Sequence, residues 1–506
     1  MSQSALRLRI AQAVGLKLTR IRNGQKPNVL DLFAGCGGIS LGFEKAGCAI
    51  VGGLERDSDA SASFFHNFRS KRASAPPWWL TDGPMDITKA DPAELAEKAG
   101  VEMKTAVDIL VGGPPCQAFA RIGRAKLRSV TEDPEAWLND PRADLYKSYL
   151  RFVAGFAPCA LMMENVPDFM SHGGENTAEE VCANLEALGY RAWYTLMNAS
   201  FWGVPQHRER MILVAIHCDV DGEWSFPSPT HRSTPPHGYK GVRASAMALV
   251  PTDIPGPFDS NGSLHRFMPP PDSLSAGMTG LKGQVSTSQA ISDIPDIPIT
   301  SIDAGFSRRP KSWTYRTTRP SIYAKIMRSW RDHESTGLIN DHLTRHLPRD
   351  FKIFARMKQG EQYPEMHRRQ SASRDAAAKR KGLRIETVAW KVLTKNLVPP
   401  YPADKFPNKW YRLRSGEPSR TLLAHLGKDG YTHIHPDESR VISVREAARL
   451  QSFPDGFRFC GSMNAMFRQI GNSVPPLLAM VVADRIVRNL QTNEPRRPVK
   501  QRVSKP

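Results

Sequence analysis

The 506-residue chain has no Cys-x-x-Cys pair, no internal repeat, and no run of the roughly 18 apolar residues that a membrane-crossing helix needs. The seven cysteines (Cys36, Cys48, Cys116, Cys159, Cys182, Cys218 and Cys460) are odd in number and widely spread. That argues against a disulfide framework and against a zinc site, so no metal is expected, and it fits a reducing cytosol. Residues 1–26 lack the apolar core and small-residue cleavage site of a secretory signal, so no membrane association is expected. Acidic residues are also few. Fifty Asp+Glu stand against 69 Lys+Arg, a formal net charge of +19, which points to a polyanionic partner, most simply nucleic acid. A hydrophobic share of 40% with 24% charged residues excludes wholesale disorder. At roughly 150 residues per domain the length allows about three units, or one large domain with insertions.

What is present is ordered along the chain. Residues 1–26 hold six basic residues and no acid, and read as a solvated tail or a phosphate-touching arm. From Asn28 to about Ile216, short β-rich runs at Val29–Phe33, Ala49–Leu54, Val107–Val111, Ala160–Met163 and Met211–Ile216 alternate with helix-like stretches. One of these stretches is Arg142–Phe156, which places Leu145, Tyr149, Phe152, Val153 and Phe156 on one face. Such alternation predicts an open α/β fold, a mostly parallel sheet with helices on both faces and ligands beyond the carboxyl ends of its strands. Residues 222–320 carry 14 of the 40 prolines, so long regular elements are not expected there. Residues 301–414 hold 26 Lys+Arg and 10 Asp+Glu, a difference of +16. A charge run is usually a solvated face, but asymmetry this strong is better explained by phosphate contacts. Ser443–Ser452 reads as a helix with a capping box, and Pro475–Leu490 as a second, buried helix.

Four places carry chemistry. Asp31-Leu32-Phe33-Ala34-Gly35-Cys36-Gly37-Gly38 is a strand running into a glycine-rich turn and a helix, with the acid Glu55 following 20 residues after Gly35. The dinucleotide fingerprint G-x-G-x-x-G fails because Ser40 fills its last glycine position, yet an adenosine-type cofactor remains favoured over an ordinary tight turn. Gly112-Gly113-Pro114-Pro115-Cys116-Gln117 follows the third strand. A buried cysteine is more often a small hydrophobe, but a thiol in a rigid polar turn at a strand's carboxyl end reads as a nucleophile. Glu164-Asn165-Val166 ends the fourth strand, as a helix cap or an acid. Gln206-His207-Arg208-Glu209-Arg210 enters the fifth, and alone reads as a surface ion-pair cluster.

In order and context these segments resemble the motifs of the cytosine-C5 DNA methyltransferases. Ser419-Arg420-Thr421, Val444-Arg445-Glu446-Ala447-Ala448-Arg449-Leu450-Gln451-Ser452-Phe453-Pro454 and Gly471-Asn472-Ser473-Val474-Pro475-Pro476 match as well, so the likeness runs from Val29 to Leu490. It implies a Rossmann-like methyltransferase domain over 27–220 and a smaller, irregular, basic target-recognition region over 221–418. A segment 419–490 would return to the catalytic domain, and 491–506 would form a basic tail. His207 stands where the family often has a second arginine, and beyond a short stretch near Ala290-Ile291-Ser292-Asp293-Ile294-Pro295 the interior of the region between Ile216 and Arg420 does not align with the family.

The resemblance implies S-adenosylmethionine as cofactor and double-stranded DNA as partner, with cognate restriction or defence proteins, a monomer, and a place on the nucleoid in the bacterial cytosol. Cys116 would add to C6 of a flipped-out cytosine and Glu164 would protonate or hydrogen-bond N3. Arg208 would hold the ring carbonyl, with Arg210 supporting it. For the cofactor, Phe33 would pack on the adenosine side, and Gly35, Cys36, Gly37 and Gly38 would meet the methionine portion. Glu55 would take the ribose, Arg56 would stack on adenine, and Asp86 and Ile87 would contact adenine. Pro115 would line the pocket and Asn472 would close it. Trp313, Tyr315, Arg316 and Arg319 are candidates for DNA contacts. Three other readings compete: an RNA cytosine methyltransferase with the same site, a nicotinamide-dependent oxidoreductase, and a catalytically dead DNA-binding module. The oxidoreductase is disfavoured by Ser40 and does not explain Cys116 with Glu164. The inactive module is disfavoured by intact Cys116, Glu164 and Arg208.

Overall fold

The computed structural model describes residues 3–69, 79–115, 143–171, 174, 176–250, 266–298, 313–316, 319–347, 350–404 and 410–492. The chain forms two compact units. The first comprises Met1–Trp202, Glu209–Gly283 and Val474–Pro506, and the second Gly203–Arg208 and Gln284–Ser473.

The first unit is built on six strands: β1 (Asn28–Leu32), β2 (Ala49–Leu54), β3 (Ile109–Gly112), β4 (Ala160–Asn165), β5 (Tyr190–Asn198) and β6 (Glu209–His217). Their spatial order is β2-β1-β3-β4-β6-β5. The first four are parallel neighbours, and β6 runs antiparallel between β4 and β5. Val29, Leu30, Ile109, Leu110, Leu161 and Met162 have no exposed surface, which is why these strands read as unbroken apolar runs rather than alternating ones. The chain leaves β1 for β2 on one side and returns to β3 on the other. This reversal opens a crevice at the carboxyl ends of β1 and β3, where ligands of open α/β sheets sit.

Four helices of this unit concern the site: α1 (Gln3–Arg22), α2 (Gly38–Lys45), α3 (Ser58–Phe68) and α4 (Ala143–Phe156). The last of these falls where the sequence places it. The C-terminal helix Pro476–Gln491 packs on α2 so closely that a Cβ at Gly42 would stand 2.5 Å from Ala479 Cβ, and only glycine fits there. Met463–Gln491 is the one stretch among the described residues long and apolar enough to cross a membrane, and most of its apolar 18-residue window is buried inside the protein.

Three expectations are corrected. Residues 3–22 are not a loose tail: α1 buries Ile10, Val14, Leu18 and Ile21. Lys17 lies on the same buried face, and its ammonium donates to the carbonyls of Val107 (2.6 Å), Phe156 (2.6 Å) and Ala157 (2.9 Å), just ahead of β3 and β4. Burial lowers its pKa to about 8. A charge in the middle of the apolar stripe hides the helix's amphipathic pattern. Next, β5 has no counterpart among the expected runs, because Arg191, Thr195 and Asn198 break up its apolar residues although it is buried along nearly its whole length. Finally, residues 221–283 go with the sheet unit rather than with the basic region. Tyr194 N–H donates to Arg266 O (2.8 Å) and Met268 N–H to Tyr194 O (2.9 Å), extending the sheet at β5. The proline-rich stretch also contains an 11-residue helix, His237–Met247.

The second unit has little strand: Trp313–Thr314 pairs with Leu338–Ile339. Its core gathers Phe354, Met357, Tyr363, Met366, Trp410 and Ile434, with Trp410 and Tyr431 stacked at 5.1 Å. Helices α5 (Tyr363–Arg380) and α6 (Val388–Leu397) form a hairpin, and α7 (Val444–Leu450) and α8 (Met463–Asn472) follow. Residues 419–473 belong to this unit, not to the sheet unit as the sequence suggested.

Candidate active site

The turn after β1 is the first part of the site. Phe33 (φ 59°), Gly35 (φ 54°) and Gly37 (φ 99°) all take left-handed backbone, and a Cβ at Gly37 would strike the Phe68 ring of α3. Ala34 N–H donates to Leu54 O (2.9 Å), tying the turn to the end of β2. Ser40, the residue that breaks the dinucleotide fingerprint, has a structural reason. Its Oγ donates to Asp31 Oδ2 at 2.6 Å, with both groups fully buried, joining α2 to β1. Burial pushes the Asp31 carboxyl up to about pKa 7.

Glu55 stands beside this turn. One carboxylate oxygen accepts from Gly35 N–H (2.9 Å) and the other from Asp57 N–H (2.7 Å), so the acid shapes the turn itself. Burial raises its pKa. The place where a Cβ of Gly35 would stand is open, with nothing within 4 Å. Arg56 is exposed, Phe33 half-buried, Cys36 and Gly38 buried. Asp86 is half-exposed. Thr88 N–H (3.0 Å) and Thr88 Oγ1 (2.8 Å) donate to its carboxylate, and the backbone bond is the main cause of its lowered pKa, with the Arg56 charge adding to it. Ile87 is buried, and its carbonyl is held by Arg151 (3.1 Å).

The second part lies where β3 and β4 end together. Asn165 Nδ2 donates to Pro114 O at 2.9 Å, fastening the Gly113–Pro115 turn to β4. A Cβ at Gly113 would stand 3.2 Å from Glu164 Oε2, so glycine keeps that carboxylate in place. Pro115 is exposed, and Cys116, the next residue, lies outside the described residues. Glu164 and Arg210 form an ion pair, Nε to Oε1 at 2.6 Å, with about 10% of each side chain exposed. The antiparallel register of β4 with β6, Glu164 opposite Ile212, brings Arg210 alongside. Glu209 is buried and accepts from Arg243 Nε (2.8 Å) and Asn198 Nδ2 (3.2 Å), which fixes the strand that carries Arg210.

Arg208 belongs to the second unit and is buried there, its guanidinium donating to Leu422 O (2.7 Å) and Gly471 O (3.0 Å). Arg210 stands on the acid and Arg208 fastens backbone. Gln206 is part of the same fastening, accepting from Leu422 N–H (2.8 Å) and donating to Leu450 O (3.2 Å). Asn472, exposed at the end of α8, lies in the second unit too.

Other residues of the matched segments and of the basic region have packing and ion-pair partners of their own. Arg445 and Arg449 are fully buried: Arg449 pairs with Asp455 (2.5 Å) and Asp293 (3.2 Å), and Arg445 donates to Pro454 O and Phe457 O. Among the proposed DNA contacts, Trp313 packs edge-on to His342 (5.4 Å), Tyr315 donates to Asp455 (2.5 Å), and Arg316 pairs with Asp296. Arg319 is exposed. His435, Glu438 and Glu446 bring potential ligand atoms within 4.8 Å of one another, but Arg440 bridges both carboxylates at 2.6 and 2.7 Å, so this is an ion-pair network. The sequence left the roles of Asn165 and the Asp31–Ser40 pair unassigned, although both sit inside motifs it singled out.

The model of the C-5 cytosine-specific DNA methylase family matches residues 27–488. The chain belongs to that family. It is a DNA cytosine-5 methyltransferase. M.OihORF3336P of Oceanobacillus iheyensis is 36% identical to it over 469 residues, 92% of this chain and 96% of that protein. The type II methyltransferase M.AgeI of Thalassovita gelatinovora is 31% identical over 481 residues, covering 90% and 98%. In fold, the methyltransferase resembles the crystal structure of a DNA modification methyltransferase encoded within an E. coli prophage (TM-score 0.57, 21% identity, covering 92% of this chain and 100% of that one).

Proposed function

We propose that this methyltransferase transfers a methyl group from S-adenosylmethionine to C5 of a cytosine rotated out of a specific duplex sequence. The observation that carries this reading is the Glu164–Arg210 pair at the end of β4, with the turn leading to Cys116 fastened beside it.

The residues at the end of β1 and β2 fit the cofactor. Open space faces Gly35, and Glu55 and Asp86 present partly exposed carboxylates at successive chain turns. Phe33, Arg56 and Ile87 are assigned to the adenosine side and Gly35–Gly38 to the methionine side. When bound, S-adenosylmethionine supplies an electrophilic methyl on a sulfonium.

The chain's own work is to make C5 nucleophilic. The Cys116 thiolate forms a bond to C6, and the electron pair of the 5,6 double bond moves toward C5 and the ring. Glu164 holds the proton or hydrogen bond at N3, where charge develops. Arg210 orients that carboxyl and places its positive charge beside the ring carbonyl. Once C5 carries the methyl, loss of its proton to water or hydroxide returns the electrons, and the Cys116–C6 bond breaks. Extrusion of the base costs a few kcal/mol, to be offset by phosphate contacts from the basic unit.

A role in marking host DNA beside a cognate nuclease is supported by relatives named type II methyltransferases, and a monomer in the bacterial cytosol belongs to the same proposal. Expression in a methylation-free host followed by bisulfite sequencing tests the reading. Protected cytosines in one sequence context are expected, and their absence alongside methyl incorporation into tRNA would replace DNA by RNA as substrate.

A further inference from the structure

We infer that the α5–α6 hairpin is a phosphate-gripping finger that holds duplex DNA outside the recognised sequence, an inference that rests on the proposed activity on duplex DNA. The hairpin spans residues 363–397, with nine Lys+Arg against three Asp+Glu, a net +6.

Its root is firm. Tyr363 is fully buried in the second unit's core, its Oη donating to Tyr401 O (2.6 Å) and accepting from Tyr401 N–H (2.9 Å). Arg369 is held by Glu361 and Arg356 O, and Arg374 lies over the Trp390 ring at 4.7 Å, joining the two helices.

The tip is equally well defined. Helix α5 ends with Gly382 in left-handed backbone (φ 61°), Leu383 N–H donating to Ala378 O (3.0 Å) and Gly382 N–H to Lys379 O (3.2 Å). This glycine-closed helix end fixes the turn that carries Lys379, Arg380, Lys381 and Arg384. All four are exposed, and none has a carboxylate partner among the described residues, whereas Arg374 and Lys391 nearby do (Asp375, Glu386). Helix α6 has no fully buried residue, and Val388, Ala389, Lys391, Val392 and Lys395 are exposed.

Four uncompensated cations on a rigid turn are costly for an isolated fold and complementary to a polyanion. Helix α5 has 18 residues. At 1.5 Å per residue it carries the tip about 27 Å from the root, the length of about eight base-pair steps at 3.4 Å. A grip at that distance falls on flanking phosphates and adds affinity without sequence information.

The test compares the full chain with a variant carrying Lys379→Gln, Arg380→Gln, Lys381→Gln and Arg384→Gln. Duplexes of about 12 and about 40 base pairs are used, both centred on the site found by bisulfite sequencing. Each neutralised phosphate contributes about 0.9 to the slope of log affinity against log salt. The variant's slope on the long duplex should therefore be shallower by about 2 to 4, with its binding to the short duplex unchanged. A variant carrying only Lys379→Gln and Lys381→Gln, with Arg380 and Arg384 intact, should show about half of that loss of slope. An unchanged slope on the long duplex, or an equal loss on both lengths, overturns the inference. A wild-type chain that neither binds nor methylates duplex DNA would instead overturn the proposed function.

Discussion

Replacing the two arginines of Gln206–Arg210 one at a time separates chemistry from scaffolding. Arg210→Gln removes the cation paired at 2.6 Å with Glu164, where about 10% of each side chain is exposed. Removing one partner of a buried pair costs about 3–5 kcal/mol, within the roughly 5–15 kcal/mol that holds a domain folded. The variant therefore folds, with a lower melting temperature. Under the proposed mechanism it also loses the positive charge beside the ring carbonyl, and turnover is expected to fall by about 10²–10³. Arg208→Gln leaves the carbonyls of Leu422 and Gly471 without their donor. At about 1–3 kcal/mol for each stranded buried group, its cost is about 2–6 kcal/mol of stability, with turnover of the folded fraction near wild type. Single-turnover transfer of labelled methyl, read beside thermal melting, distinguishes the two. Should Arg208→Gln abolish transfer at an unchanged melting temperature while Arg210→Gln stays active, the placement of Arg210 on the acid is wrong.

Further outcomes follow from other residues. Cys116→Ala is expected to abolish methylation while leaving cofactor and DNA binding largely intact, and methylation retained by that variant would remove the thiol from the mechanism. The buried Asp31 carboxyl keeps its proton to about pH 7 in the folded chain and only to 3.8 unfolded. The folded state then binds more protons over that window, and stability falls as pH rises from about 4 to 7, by about 4 kcal/mol in all. Asp31→Asn should flatten the curve by up to about 1.4 kcal/mol per pH unit in denaturant titrations between pH 5 and 7, and parallel curves would contradict this. Lys17→Met strands three buried carbonyls and, at about 1–3 kcal/mol each, should cost at least about 3 kcal/mol, while an unchanged melting temperature would show that α1 is not held by its ammonium.

The parallel part of the sheet is legible because its strands are buried on both faces and separate cleanly from helices; Ala49–Leu54 falls on its expected bounds. Strand β5 is missed although it too is almost wholly buried, because Arg191, Thr195 and Asn198 interrupt what would otherwise read as an apolar run. Helix α1 is missed because docking depends on Lys17 finding three carbonyls from distant loops, information that no local pattern contains. At the site, Glu164 is recognisable as a strand-end acid. The choice between Arg208 and Arg210 is not, because it depends on which of two residues, two apart in sequence, points toward β4 once β6 has paired in register.

That register explains why one pentapeptide serves two purposes. Gln206 and Arg208 hold Leu422, Leu450 and Gly471 within the second unit, while Glu209 and Arg210 enter β6 of the first. The boundary between the units falls between Arg208 and Glu209. A chain that must keep Arg210 within 2.6 Å of Glu164 has good reason to anchor it on a strand. Nine consecutive buried residues of β6 tolerate little displacement, and Arg243 grips Glu209 from outside the sheet. Weakening that grip by Arg243→Ala should therefore lower turnover without touching a reacting group. The double variant Arg243→Ala/Arg210→Gln should be no slower than Arg210→Gln alone, since both act through the same guanidinium. Fully additive losses would mean that Arg243 works through something other than the position of Arg210.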